Sequence, residues 1–376
     1  MELIALMMDL AMMGCGTGAV IEPKYYQKLP KILNKINVSI FGKPGEVDAE
    51  NRQEHTTWIN AGNEQFIMYV GDSRSAWVDA YKLLLEASSN SLYGGKINLS
   101  VCLSHVRPNG TPLKSFGGVA NPVKLQDLFL RCSAILNKAV GRYLTSVECC
   151  LLIDEAASVV VAGNIRRSAG MRQFSSYDNE AASAKANLWQ QTPDGWKMDP
   201  EKDALRMANH TRVFHQKPSL QDCLDSVSSQ FWSGEGAIQW AGEAVARANA
   251  DVVTPENKTE FLRAYERNTA AKWFGKYGIN EIDAKERLQR YGLNPCVTAD
   301  TWIHTEKGAR QVKDLVGKQT SVYINGELFS TTREGFWLTG VKSVLKVITQ
   351  EGYELRLTGN HQLLKVTAQT QKKQYS

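Results

Sequence analysis

The chain has 376 residues, 43% hydrophobic and 22% charged, enough apolar material for one large or two ordinary buried cores, which excludes a disordered or fibrous protein. Its net charge of +5 is too slight for the dense basic face of a protein that binds nucleic acid directly, although it suits an acidic ligand such as a nucleotide phosphate. Seven cysteines without framework spacing point to a reducing cytoplasm, not to a secreted disulfide scaffold.

The opening stretch, MELIALMMDLAMMGCGTGAV, has the apolar content of a secretory leader, but Glu2 and Asp9 interrupt it and a basic start is missing. It reads as an amphipathic or buried helix running into a turn at Gly14, Gly16 and Gly18. A chain that starts inside a core helix reads as truncated. No later run of about 18 apolar residues occurs, so no membrane span is expected.

Residues 21–70 are mixed and loop-rich, punctuated by Pro23, Pro30, Pro44 and Gly45. Then come a helical AWVDAYKLLLEASSN, a strand-like KINLSV and a turn at Pro108-Asn109-Gly110. VKLQDLFLRCSAILNKAVGRYL is helical, SVVVAG is a buried-strand candidate and NIRRSAG is a loop. Such alternation indicates an α/β domain. Residues 220–292 are mostly helical, whereas from about residue 297 short alternating runs (SVYING, SVLKVITQ, YELRLTGNH) carry an all-β signature. The domain boundary therefore falls at Cys296, giving segments 1–295 and 296–376.

Several residues carry candidate chemistry, each with a plainer rival. In GNIRRSAG, a Gly163-Asn164 turn can present the guanidinium forks of Arg166 and Arg167 to phosphate or base edges, or the two can be solvated surface charges. Arg107 and Lys114 flank the tight turn of RPNGTPLK, an anion site or a plain surface turn. Gly14, Gly16 and Gly18 permit close backbone approach to a ligand. Asn209 and His210 suit a polar core or turn, and vicinal Cys149 and Cys150 read as core residues where a helix gives way to a strand. Neither Cys-x-x-Cys nor His-Glu-x-x-His occurs, so no metal site is expected.

The segments MMGCGTGA, VGDSRSAWV, LSHVRPNGTPLKSFGG, VVVAGNIRRSAG, DALRMANHTRVF and LNPC, in that order, closely resemble ribonucleotide reductase of the adenosylcobalamin-dependent class, the nearest type being the monomeric ribonucleoside-triphosphate reductase. The resemblance runs over nearly all of residues 1–296. It implies part of a ten-stranded α/β barrel whose finger loop holds a thiyl-radical cysteine in Asn-Pro-Cys-Gly-Glu. Here Val297-Thr298 follow Asn294-Pro295-Cys296 instead. The stretch CVTADTWIHTEKGARQVKDL in turn resembles the first splicing block of an intein, and ELRLTGNHQLLKV its second, with Thr358 and His361 in a Thr-x-x-His arrangement. The expected whole is a reductase fragment followed by a small all-β Hint segment.

The residue roles follow from these two resemblances. Cys296 would attack the Pro295 carbonyl to exchange an amide for a thioester, with His361 protonating the leaving nitrogen and Thr358 polarising the bond. Asn294 would position substrate hydroxyls. Gly14, Gly16, Asn164, Arg166 and Arg167 would line the substrate pocket, while Arg107 and Lys114 would hold a deoxynucleotide effector. The implied partners are a ribonucleoside triphosphate, a complementary C-terminal intein and extein segment, and a thioredoxin-like reductant. Adenosylcobalamin is implied by family alone, since no Asp-x-His-x-x-Gly occurs. The first redox cysteine would lie upstream, and the unspliced chain should be inactive. Two alternatives stay open: a cobalamin-independent reductase fed by a partner subunit, and a non-splicing β-rich binding module.

Overall fold

A computed structural model of the chain describes residues 1–12, 16–111, 122–160, 170–186, 188–193, 195–233, 235–292, 299, 302–324, 327–331, 335–336, 344–348 and 354–358. The chain divides into two compact units, Met1–Pro295 and Cys296–Ser376.

In chain order the first unit has α1 (Glu2–Met12), β1 (Thr17–Ile21), a short α2 (Pro23–Tyr26), β2 (Lys35–Phe41), β3 (Thr57–Gly62), β4 (Gln65–Tyr69), α3 (Arg74–Ser89), β5 (Lys96–Cys102), α4 (Val123–Lys138) and α5 (Ser146–Val160). It continues with β6 (Gly170–Ser175), α6 (Asn179–Ser183), the small hairpin of β7 (Trp189–Thr192) and β8 (Gly195–Met198), and β9 (Ala208–Phe214). Next come α7 (Leu220–Ser233), β10 (Ala237–Trp240), α8 (Ala241–Ala248), α9 (Lys258–Glu266), α10 (Ala270–Gly275) and α11 (Glu281–Arg287).

One sheet, ordered β1-β6-β9-β10, is parallel throughout. Parallel neighbours need long crossovers, and the chain supplies them: everything from α2 to α5 lies between β1 and β6, and α7 joins β9 to β10. The second sheet, β2-β5-β4-β3, is parallel except at its β3–β4 edge. That edge closes as a hairpin because Asn63 and Glu64 both take positive φ, 48° and 60°, the conformation a two-residue primed turn demands.

The helices explain the core. Ser73 caps α3 by accepting the Ala76 N–H at 3.1 Å, and Trp77, Ala80, Tyr81, Leu84 and Leu85 then recur on one buried face. That face joins buried side chains of α1, α4 and α5 and of the second sheet in one apolar cluster, while Val213, Phe261, Trp273 and Phe274 build another around α8 to α11. No helix among the described residues is long and apolar enough to cross a membrane.

Two expectations shift. SVVVAG is not a strand at its start: residues 158–160 complete α5, and the strand is GMRQFS, nine residues further on. A short apolar run does not distinguish a buried strand from the end of a buried helix, and no glycine or proline interrupts α5 from Ser146 onward. Cys149 and Cys150 accordingly sit inside α5, both buried. Residues 21–70 also hold more order than their prolines suggest, namely β2, β3 and β4.

The second unit contains β11 (Trp302–Thr305), β12 (Gly308–Gln311), a four-residue α12 (Val312–Leu315), β13 (Ser321–Ile324), β14 (Glu327–Ser330), β15 (Val344–Ile348) and β16 (Glu354–Thr358). Its strands pair antiparallel, as a sheet ordered β12-β11-β13-β14 and a separate β15–β16 pair. Val312, Leu315 and Val322 are buried there.

Candidate functional site

Four parallel strands bring their carboxyl ends to one edge of a sheet, the position at which α/β sheets bind ligands. Glu22 directly follows β1, and His215 directly follows β9. Their side chains meet, His215 Nε2 lying 2.8 Å from Glu22 Oε1 and Nδ1 lying 3.2 Å from the Tyr265 hydroxyl of α9. The Tyr291 phenol donates to the other carboxylate oxygen of Glu22, and the Lys24 ammonium stands 3.4 Å from that oxygen.

Burial by itself would raise the Glu22 pKa, but the hydrogen bonds from His215 and Tyr291 outweigh it and hold the carboxyl below its ordinary value. An ionised carboxylate only accepts, so His215 presents Nε2–H to it, while Nδ1 and the Tyr265 hydroxyl share the second hydrogen bond. Burial and the Glu22 charge push the Tyr265 phenol up to about 12. Burial and the bond to Glu22 push Tyr291 up as well. Glu22 and Tyr291 are buried, whereas the His215 side chain is 40% exposed. The arrangement is a buried carboxylate hydrogen-bonded to an imidazole open to solvent.

Tyr291 is also held at its backbone. Its carbonyl accepts from Gln239 Nε2 at 2.7 Å and from Gln173 Nε2 at 3.2 Å, and the two amides bond to each other. These glutamines come from β10 and β6.

Next to Gln173, Arg172 is fully buried. Its Nη2 donates to Asp154 Oδ1 of α5 at 2.7 Å, and its Nη1 donates to the carbonyls of Thr17 and Met171, each at 3.0 Å. Burial pushes the Asp154 carboxyl up to about 6 in spite of that guanidinium. The start of β6 is thus tied to the start of β1, just after Gly16.

Among the sequence-derived candidates, Gly16 immediately precedes β1, and Arg107 lies at the start of the turn containing Gly110, whose φ is +83°. Arg107 is already engaged: its backbone N and Nε donate to Asp72 Oδ1 at 3.0 and 2.7 Å, and Nη2 donates to the Asp72 carbonyl at 2.9 Å. Thr358 is the last residue of β16, its backbone in register with Val344. Gly14, Lys114, Asn164, Arg166, Arg167, Asn294, Cys296 and His361 lie outside the described residues.

His210 takes the polar-core place: burial and the neighbouring Lys185 ammonium push its pKa down to about 3, so the ring stays neutral. Burial pushes the Cys149 thiol up to about 12 and raises Cys150 and Cys132 too, so none of the three is a ready thiolate. Among the described residues no group of three or more His, Cys, Asp or Glu side chains could hold a metal ion.

No family profile matches the chain. It is similar to the adenosylcobalamin-dependent ribonucleoside-triphosphate reductase of Levilactobacillus brevis, 31% identical over 175 residues, covering 43% of this chain and 23% of that protein. The protein of the same name from Lactobacillus acidophilus is 29% identical over 191 residues, 47% of this chain and 25% of its own length. That from Lactobacillus leichmannii is 36% identical over 118 residues, 30% of this chain and 16% of its own. The chain therefore spans about a quarter or less of the curated relatives it matches. A crystal structure of a B12-dependent class II ribonucleotide reductase superposes with a TM-score of 0.47 at 20% identity, covering 60% of this chain and 30% of that one.

Proposed function

We propose that residues 1–295 are the N-terminal part of the catalytic barrel of a ribonucleoside-triphosphate reductase, with β1, β6, β9 and β10 as a portion of its wall, and that residues 296–376 are the N-terminal Hint segment of an intein. The observation that carries the reductase half is the similarity to three reductases of one name, at 29–36% identity. Two features support the intein half: the chain divides into compact units between Pro295 and Cys296, and the second unit is built of short antiparallel strands.

On this reading the Cys296 sulfur attacks the Pro295 carbonyl carbon, the C–N bond breaks, and the nitrogen leaves as the α-amine of Cys296 after taking a proton from His361. Thr358, at the end of β16, hydrogen-bonds the same peptide. A complementary segment then supplies the second junction and a cysteine in place of Cys296, joined to Asn294-Pro295, where the thiyl radical of the reductase resides. Asn294 positions the ribose hydroxyls. Gly14, Gly16, Asn164, Arg166 and Arg167 contact the ribonucleoside triphosphate, and Arg107 and Lys114 serve the deoxynucleotide effector, with Asp72 fixing Arg107 in place. A thioredoxin-like protein regenerates the thiols, and the setting is the cytoplasm.

Adenosylcobalamin, which would supply the radical, comes to this chain through the names of its relatives. Among the described residues, a cleft of about 740 Å³ is lined in part by Asp178 and Glu180, and another of about 780 Å³ lies along Phe41–Glu46. Neither cleft is assigned to the cofactor.

The test is ligation. The full chain mixed with a complementary C-terminal fragment should give a spliced product by intact mass, with deoxynucleotide formation appearing only in that product. Cys296→Ala should abolish ligation, and His361→Ala should slow it by roughly 10²- to 10⁴-fold. Ligation by the Cys296→Ala chain, or nucleotide reduction by the unspliced chain, would overturn the proposal.

A further inference from the structure

Helix α7 carries its apolar face away from the sheet. The helix starts cleanly, because Ser219 and Asp222 cap each other: the Asp222 N–H donates to Ser219 Oγ at 3.1 Å, and the Ser219 N–H and hydroxyl donate to the Asp222 carboxylate at 2.8 and 2.6 Å. From there Leu220, Leu224, Val227 and Phe231 recur at steps of four, three and four, which at 3.6 residues per turn gathers them within about 60° of arc. An amphipathic helix ordinarily lays such a stripe on its own core. Here the four side chains are between 54% and 78% exposed. The side turned towards β10 is built of serines instead. Ser226 donates to the Gly236 carbonyl, and a Cβ on Gly236 would lie 2.9 Å from the Ser229 Cβ.

We propose that this stripe docks against the same stripe of a second copy of the chain, the two α7 helices packing antiparallel about a two-fold axis. The proposal depends on neither the reductase nor the splicing reading.

Three features select the copy as the occupant. The spacing is that of the a and d positions of a heptad, whose side chains interlock with those of another helix. The stripe is also complementary to itself. Turned end for end, Leu220 meets Phe231 of the second copy and Leu224 meets its Val227, so each layer pairs two apolar side chains and none is left over, as a two-fold interface requires. Charge is the third feature. Gln221, Cys223, Ser228 and Gln230 flank the stripe, and none of them is charged. The only charged side chains of α7, Asp222 and Asp225, lie towards its other side, one held in the cap and the other accepting from the Gln221 amide at 2.7 Å. Two copies therefore meet without like charges at the seam, whereas a helix that pairs through flanking charges would find no counter-charge there. A basic face, which an anionic membrane surface would select, is missing from α7.

The size of the stripe sets the strength of the pairing. Four side chains on a helix of 14 residues cover less than the roughly 1,200 Å² in total at which stable specific interfaces begin, so the dimer should be weak and reversible.

Sedimentation of the full 376-residue chain, in a phosphine reductant so that no disulfide dimer forms, should show a monomer–dimer equilibrium over about 1–100 μM. Leu224→Glu and Val227→Lys alter exposed positions, so each variant should keep the wild-type melting temperature while weakening self-association by about tenfold or more. An equimolar mixture of the two should dimerise again, because antiparallel pairing sets position 224 of one chain against position 227 of the other. A wild-type chain still monomeric at about 200 μM would overturn the proposal and leave the stripe to a different partner, such as the chain joined by ligation. Undiminished dimerisation of both variants would place the association elsewhere and overturn it as well. A mixture no more dimeric than its components would overturn the antiparallel pairing.

Discussion

Replacing Arg172 by methionine would leave the Asp154 carboxylate alone in a site that excludes water, and the carbonyls of Thr17 and Met171 would each lose a donor. Removing one partner of a buried pair typically costs about 3–5 kcal/mol, whereas replacing both by apolar residues of similar volume is often neutral or better. Arg172→Met should therefore destabilise the first unit by about 3–5 kcal/mol at pH 8, and Asp154→Leu with Arg172→Met should recover most of that loss. The deficit should shrink on acidification. Asp154 titrates at about 6 in the folded chain against 3.8 for an ordinary aspartate, so its contribution to stability is fully present below 3.8 and is lost as pH rises through 6. Near pH 5 the carboxyl is largely neutral even beside Arg172, and little buried charge remains for the arginine to compensate.

Two other groups shape the same pH window. Burial pushes Glu155 up to about 7, so it too favours folding at lower pH, while His210, depressed to about 3, contributes stability that is present above 6.5 and lost as pH falls. The two carboxyls thus favour the folded first unit as pH falls from 7 towards 5, and the imidazole opposes them. Urea denaturation followed by helical ellipticity, a signal carried mainly by the first unit, measures all three chains at pH 8 and pH 5. A single replacement costing under about 1 kcal/mol, or a double replacement less stable than the single one, would refute the reasoning.

Arg107→Ala and Asp72→Asn should each lower the melting temperature of the first unit, since they break the same half-buried pair, and Arg107→Ala should also blunt effector dependence in the ligated enzyme; an unchanged melting temperature in both would show the pair to be idle. Among the described cysteines, iodoacetamide on the folded chain at pH 8 should label Cys223 and spare Cys132, Cys149 and Cys150, because burial raises those three thiols and keeps them from reagent; peptide mapping that finds Cys149 modified in the folded state would contradict this.

What the sequence revealed and what it concealed follow from the range of the interactions. The helix α3 and strand β5 were legible because binary patterning is local: Ser73 caps, apolar residues recur at helical spacing, and KINLSV alternates. The end of α5 was not, because an apolar β-branched run satisfies a buried helix as well as a strand. The polar residues at the sheet edge were out of reach for a different reason. Glu22 bonds to His215 across 193 positions and to Tyr291 across 269, and no spacing rule connects them. A usable signal existed only one residue at a time: Glu22 ends the apolar run TGAVI and His215 ends RVF, and a polar residue just past an apolar strand in an α/β chain falls where such sheets gather their functional groups. Asp154 offered a similar hint, as an acid inside CCLLIDEAA, a run with little else to face water. Its partner on β6 could not be named until the sheet order placed β6 beside β1. The junction at Cys296 is the opposite case. The change of pattern there is written in adjacent letters, NPC followed by VT, whereas the contacts of Tyr291 with Glu22 and two glutamines exist only when strands far apart in sequence have come together.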